Sequence, residues 1–195
     1  MKPTLLLLLV PLALVSVGFS SIAQQQSTSA HVWRQSQKTD TFRAFTYTQF
    51  TLTGKFARSP QAQDDVSNRP ALVVDCIPAK GTQRHKSKFL AGNLLVGTTL
   101  KIEYIEPEEI HGTSYLQKVS VRYRMDDAKE EEEKWSPGAD KTSVSVPKSA
   151  LKKILRAHAV EITASDDRGA QLLMQFDMPD ATPVEDGCNV DEHKE

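Results

Sequence analysis

The amino-acid sequence predicts a mainly β domain, an antiparallel β-sandwich or barrel-like fold, with one short amphipathic helix at about residues 148–157. Three observations carry this. Apolar residues recur with period 2 in about eight segments. Asp, Gly and Pro cluster between those segments, as turns require. Only one stretch has the spacing of a helix face.

Phe45, Tyr47, Phe50 and Leu52 alternate with polar neighbours. One slip in phase between the two pairs predicts a strand with a bulge, ended by Gly54. Residues 57–70 are polar and hold Pro60 and Pro70, so they predict a loop. Leu72, Val73 and Val74 lead to Cys76 as a short buried strand at 71–76. Lys80, Arg84, His85 and Lys86 surround a glycine turn. They read as a solvated hairpin tip, with an anion or polysaccharide contact as the functional alternative. Phe89 to Val96 is apolar around Gly92, which predicts either two short strands or one strand with a glycine kink.

Leu100, Ile102 and Tyr104 fall on one face of the next predicted strand, and 106–114 on a loop. Val119, Val121, Tyr123 and Met125 form the clearest period-2 pattern in the chain, broken at Asp126-Asp127. Glu130 to Glu133 reads as a solvated acidic run. A cation site there would need a loop folding the carboxylates inward, and no glycine-punctuated calcium loop is present. Thr142 to Val146 alternates as a strand.

Pro147 suits a helix start. Leu151, Ile154, Leu155 and His158 have the spacing of its apolar face, and Lys148, Lys152, Lys153 and Arg156 supply the wet one. Val160, Ile162 and Ala164 pair with Leu172, Met174, Phe176 and Met178 as a hairpin around Ser165-Asp166-Asp167-Arg168-Gly169. Pro179 ends it. The polar tail from Asp180 is expected to be pinned at Cys188.

The N-terminus reads as a secretory signal peptide: Lys2, an apolar run from Leu5 to Val15, then Ser21-Ile22-Ala23 with small residues at the two positions inspected for cleavage. The run is interrupted at Pro11 and Gly18 and falls short of the roughly 20 residues that span a bilayer. The expected organisation is a signal peptide at 1–23, a flexible segment at 24–40, one β-rich domain at 41–190 and a flexible tail at 191–195. The mature chain is expected to be periplasmic or secreted, with no stable membrane span. Two cysteines in an exported chain are most simply a disulfide, Cys76 to Cys188; free or intermolecular thiols are the alternative.

The whole chain carries 24 Lys+Arg against 25 Asp+Glu. That balance argues against a dedicated nucleic-acid binder, which shows a basic face. No metal or cofactor is expected, because no CxxC pair, clustered histidines, phosphate loop or dinucleotide turn occurs. The five histidines are scattered, so no nucleophile with a base stands out and no catalytic residue is assigned.

Three functions stay open. The first is a non-catalytic exported binding or accessory protein of the cell envelope, meeting a protein or surface polymer through Trp135, Tyr115, Lys148, Lys152 and Arg156. The second is a polymer hydrolase using acids among Asp126, Asp127, Asp166 and Asp167. The third is a carrier holding a small apolar ligand among Phe89, Leu100, Tyr104 and Phe176.

One set of motifs is more individual. It comprises Val121-Arg122-Tyr123-Arg124-Met125-Asp126, Trp135-Ser136, Asp140 to Val144, Leu151, Leu155-Arg156-Ala157, Gln175-Phe176-Asp177-Met178 and Cys188. Over about residues 71–190 this resembles the VasI-like periplasmic proteins associated with type VI secretion loci. The chain departs from that pattern in its Tyr-Arg-Met-Asp ending and its acidic insert at 130–133. The resemblance implies an exported β domain with a Cys76–Cys188 bridge and no catalytic residues.

Overall fold

The computed structural model describes residues 32–42, 44–58, 69–78, 88–105 and 115–188. The expected signal peptide, the basic tip at 80–86, the loop at 106–114, and His31, His111 and His193 lie outside them. Strands hold 58% of the described residues and helices 11%, so the class is mainly β, as the alternation predicts.

The strands are β1 (Arg34–Asp40), β2 (Phe45–Thr53), β3 (Lys55–Arg58), β4 (Ala71–Pro78), β5 (Lys88–Leu95), β6 (Glu103–Ile105), β7 (Leu116–Met125), β8 (Glu131–Pro137), β9 (Ser143–Val146), β10 (Ala159–Ser165) and β11 (Gln171–Asp177). The helices are α1 (Lys148–Ile154) and α2 (Thr182–Cys188). All strand pairings are antiparallel. The spatial order is β1-β2-β4-β5-β9-β8-β7-β10-β11-β3, with β6 also on β7. The ladder does not close, and the fold is sandwich-like.

The two halves are joined at a corner. β2 runs in the first half beside β4, and after Gly54 alone the chain becomes β3, which pairs with β11 in the second half. Gly54 is required there. A Cβ would stand 2.7 Å from the Gln175 carbonyl oxygen and 2.7 Å from the Phe176 ring, and the Gly54 amide donates to Pro70 at 2.8 Å.

One core fills the space between the layers. Its largest fully buried side chains are Trp135, Tyr123, Phe50 and Phe176. The period-2 strands place their apolar residues as predicted: Val119, Val121 and Tyr123 on β7, Val160, Ile162 and Ala164 on β10, and Leu172, Met174 and Phe176 on β11 are all buried. The turn between β10 and β11 is organised by Asp166, whose carboxylate accepts from the Arg168 and Ala170 amides, with Gly169 at φ +84°.

α1 lays Ala150, Leu151 and Ile154 onto the core. Leu151 sits over Gly92, where a Cβ would come within 2.8 Å of it, so Gly92 is a packing notch in the single strand β5. The predicted Cys76–Cys188 disulfide is present, with Cα atoms 4.9 Å apart, and ties α2 to β4.

Several expectations are corrected. Arg34–Asp40, within the segment expected to be flexible, forms β1, preceded by the buried Trp33. The phase slip in β2 is not a bulge, because its register with β1 and β4 is continuous. Phe50 and Leu52 face the core, while Phe45 and Tyr47 stack 5.9 Å apart on the opposite face. Lys55–Arg58, expected partly as loop, is β3. Leu100 is buried in an isolated bridge to Asp166, whereas Tyr104 on β6 is exposed, so the two do not share a buried face. His158 lies beyond α1 with its side chain exposed. The tail beyond Pro179 holds a second helix, α2, whose Val184 and Cys188 are buried.

Candidate functional site

The acidic run expected to be solvated is so only in part: Glu130 and Glu132 are exposed, whereas Glu131 and Glu133, in β8, are half-buried. In β8 the register sets Glu131 opposite Tyr123, Glu133 opposite Val121 and Trp135 opposite Val119. Residues directly opposite in an antiparallel pair share a face. Glu131 and Glu133 therefore stand on the same face as the core residues of β7, at its edge. Nothing in the composition of four consecutive glutamates shows this; the signal lies in the phase they share with Trp135.

Each carboxylate has donors. Tyr123 Oη lies 2.6 Å from Glu133 Oε1 and 3.0 Å from Glu131 Oε2. Trp135 Nε1 donates to Glu133 Oε2 at 2.9 Å. Lys153 Nζ, reaching down from α1, donates to both oxygens of Glu131 at 2.8 and 2.9 Å. A phenol has one proton for two acceptors. The shorter contact assigns it to Glu133, and Lys153 serves Glu131. Desolvation, then the two carboxylates, pushes the Tyr123 hydroxyl well above the usual phenol range. The Lys153 hydrogen bonds hold Glu131 below the usual carboxylate range.

The two carboxylates are close enough for paired-acid chemistry. Their oxygens, however, are all engaged by Tyr123, Trp135 and Lys153. The arrangement fastens β7, β8 and α1 together and offers no free acid–base pair.

The acids expected to serve a hydrolase are not brought together. Asp126 Oδ1 accepts from the His158 and Ala159 amides at 2.9 Å each, at the start of β10. Asp166 follows the end of β10. Seven residues of strand separate them by roughly 20 Å, beyond the reach of one glycosidic bond. Asp127 and Asp167 adjoin them at the same two ends and are exposed. Among the described residues no group of three or more His, Cys, Asp and Glu converges to hold a metal. The residues expected to line an apolar cavity also separate: Leu100 and Phe176 are packed in the core and Tyr104 is outside it.

Of the residues expected to meet a partner, Trp135 is corrected. It is 0% exposed, a core anchor whose ring lies 5.7 Å from that of Tyr123. Lys148, Lys152 and Arg156 stand exposed along α1 and just past it, spaced four apart. Tyr115 is 54% exposed and belongs to a larger feature.

That feature is the β6–β7 hairpin. Ile105 pairs with Leu116, and Tyr104 with Gln117. Tyr104, Ile105, Tyr115 and Leu116 are all exposed and make up four of the seven large exposed hydrophobics among the described residues. The phase of β7 explains part of this. Its core residues are odd-numbered, so Leu116 falls on the outer face beside Ile105. Below them on that face Glu103 accepts from Ser120 at 2.9 Å and pairs with Lys134, which fixes the base of the hairpin.

No helix among the described residues is long and apolar enough to cross a membrane. Comparison with protein-family models, curated proteins and solved structures returns no match.

Proposed function

We propose that the protein is an exported, non-catalytic binding or accessory protein of the cell envelope, and that it meets a protein partner through the β6–β7 hairpin. The observation that carries this reading is the exposure of four large apolar side chains on one hairpin, with Ile105 and Leu116 side by side on its outer face and Tyr104 and Tyr115 on the other. Exposed apolar side chains gathered in one place mark interaction sites, whereas single ones are ordinary. Tyrosines with flanking aliphatics suit a protein surface better than a polymer of charged or hydroxyl groups. Export rests on the N-terminal segment read as a signal peptide, and the disulfide fits an oxidising compartment. The resemblance to VasI-like periplasmic proteins points the same way.

The test is a pull-down from envelope extract with the mature, oxidised protein, run beside the Ile105→Ser/Leu116→Ser variant. A partner retained by the parent and lost by the folded variant supports the reading. Equal recovery by both, or turnover of a cell-wall polymer without any partner, overturns it.

A further inference from the structure

We infer that the outer edge of β1 is a self-association surface on which a second copy of this chain adds its own β1, antiparallel and two-fold about Gln37. This stands apart from the hairpin reading, since β1 ends the strand path and β7 lies well inside it.

The edge is open and regular. β1 is seven residues long, pairs among the described residues with β2 alone, and keeps one continuous register along its whole length. It holds no proline or glycine, and its first six residues are exposed, so both of its faces meet solvent. Sheet edges that must stay unpaired are normally shortened, bulged, broken by proline or lined with like charge. β1 has none of the first three, and its charges, Arg34, Lys38 and Asp40, are of both signs.

The sequence of the edge is self-complementary in one register. Antiparallel pairing about Gln37 sets each residue against the one equally far on the other side of it. Arg34 then faces the partner's Asp40, twice by symmetry. Ser36 faces the partner's Lys38, Gln35 the partner's Thr39, and Gln37 its own copy. A two-fold axis perpendicular to the sheet keeps each face on its own side, so only registers centred on a residue are allowed. Centring on Ser36 would set Arg34 against the partner's Lys38. Centring on Lys38 would set that lysine against its own copy. Like charges directly opposite are destabilising, and centring on Gln35 or Thr39 would pair only three residues of the strand, so Gln37 is the register that pairs its whole length without a like-charge clash.

A second observation falls in the same register. Val32 and Phe42 flank β1, each five residues from Gln37, and they are 55% and 95% exposed. The pairing about Gln37 brings Phe42 of one copy to the end of the edge where Val32 of the other stands, again twice. Two exposed apolar side chains thus close the ends of a charge-matched ladder.

The experiment is sedimentation of the oxidised mature protein over a concentration series, with Arg34→Asp, Asp40→Arg and the double reversal alongside. Near-ultraviolet circular dichroism checks that each variant is folded. The parent is expected to dimerise. Each single reversal should weaken association on the order of thirtyfold, because two attractive pairs become repulsive, and the double reversal should restore it. A parent that stays monomeric throughout overturns the inference, as does a double reversal that fails to rescue. Cross-linking gives an independent reading. Gln37→Cys should form an intermolecular disulfide on mild oxidation and Gln35→Cys should not, since residue 35 faces residue 39. Equal cross-linking of the two, or none by Gln37→Cys, refutes the register.

Discussion

Replacing both Cys76 and Cys188 with alanine should cost the protein a large share of its stability. The bridge joins residues 112 apart in sequence. Loop-closure entropy for that separation corresponds to about 4.8 kcal/mol at 25 °C, and natural bridges in exported domains contribute about 2–5 kcal/mol. Domains of this size are stable by only about 5–15 kcal/mol. Alanine is the better replacement because both sites are apolar and fully buried, where a serine hydroxyl would lack a partner. Urea titration followed by tryptophan fluorescence gives the free energy and its denaturant slope. Stability should fall by about 2–5 kcal/mol, and the slope should rise, because an uncrosslinked unfolded chain exposes more surface. A loss below about 1 kcal/mol with an unchanged slope would refute the reasoning, since it would mean that the bridge does not constrain the unfolded chain.

Four further outcomes follow from the same structure. Tyr123→Phe keeps the buried ring but removes the donor to Glu133 and should cost about 1–2 kcal/mol in chemical denaturation; a neutral result would show that the 2.6 Å contact contributes nothing net. Gly54→Ala should destabilise by about 1–3 kcal/mol, because its Cβ meets the Gln175 carbonyl and the Phe176 ring at 2.7 Å, and a thermal midpoint equal to the parent's would contradict the corner geometry. Acid should weaken the fold: hydrogen bonds hold Glu103, Glu131, Glu161, Asp126, Asp140 and Asp180 below the usual carboxylate range, so their contribution is present above the unfolded value near 4 and lost as pH falls through the folded values. Desolvation raises Asp75, so its contribution has the opposite sign, and Asp75→Asn should raise the thermal midpoint at pH 7 more than at pH 3. A parent midpoint that climbs from pH 5 to pH 3 would break this account.

The parts of the fold that bury one face were legible in the sequence. β7, β10 and β11 alternate because one side of each meets the core, and the Asp166–Gly169 turn carries the residues its geometry demands. The disulfide followed from the number of cysteines and from reading the N-terminal segment as a signal peptide. Elements held by something other than burial were not legible. β1 shows no alternation because both of its faces are wet. α2 contains Pro183 and Gly187, poor helix residues, and is held by Val184 and the bridge, so tertiary contacts override local propensity. Trp135 was expected at an exposed aromatic patch that meets a partner, yet the strand phase carries it inside. The apolar hairpin was half visible: Tyr115 was singled out, but Tyr104 was assigned to a buried face on alternation alone.

The corner at Gly54 has a consequence in time. Among the described residues β3 pairs with β11 alone, Lys55 opposite Gln175, so a segment near the start of the domain waits for one made more than a hundred residues later. Cys76 waits for Cys188 in the same way. Contacts this distant in sequence slow folding. The early strands must therefore remain incomplete until the last quarter of the chain has arrived, and a product cut before residue 171 would lack both the strand and the sulfur that complete it.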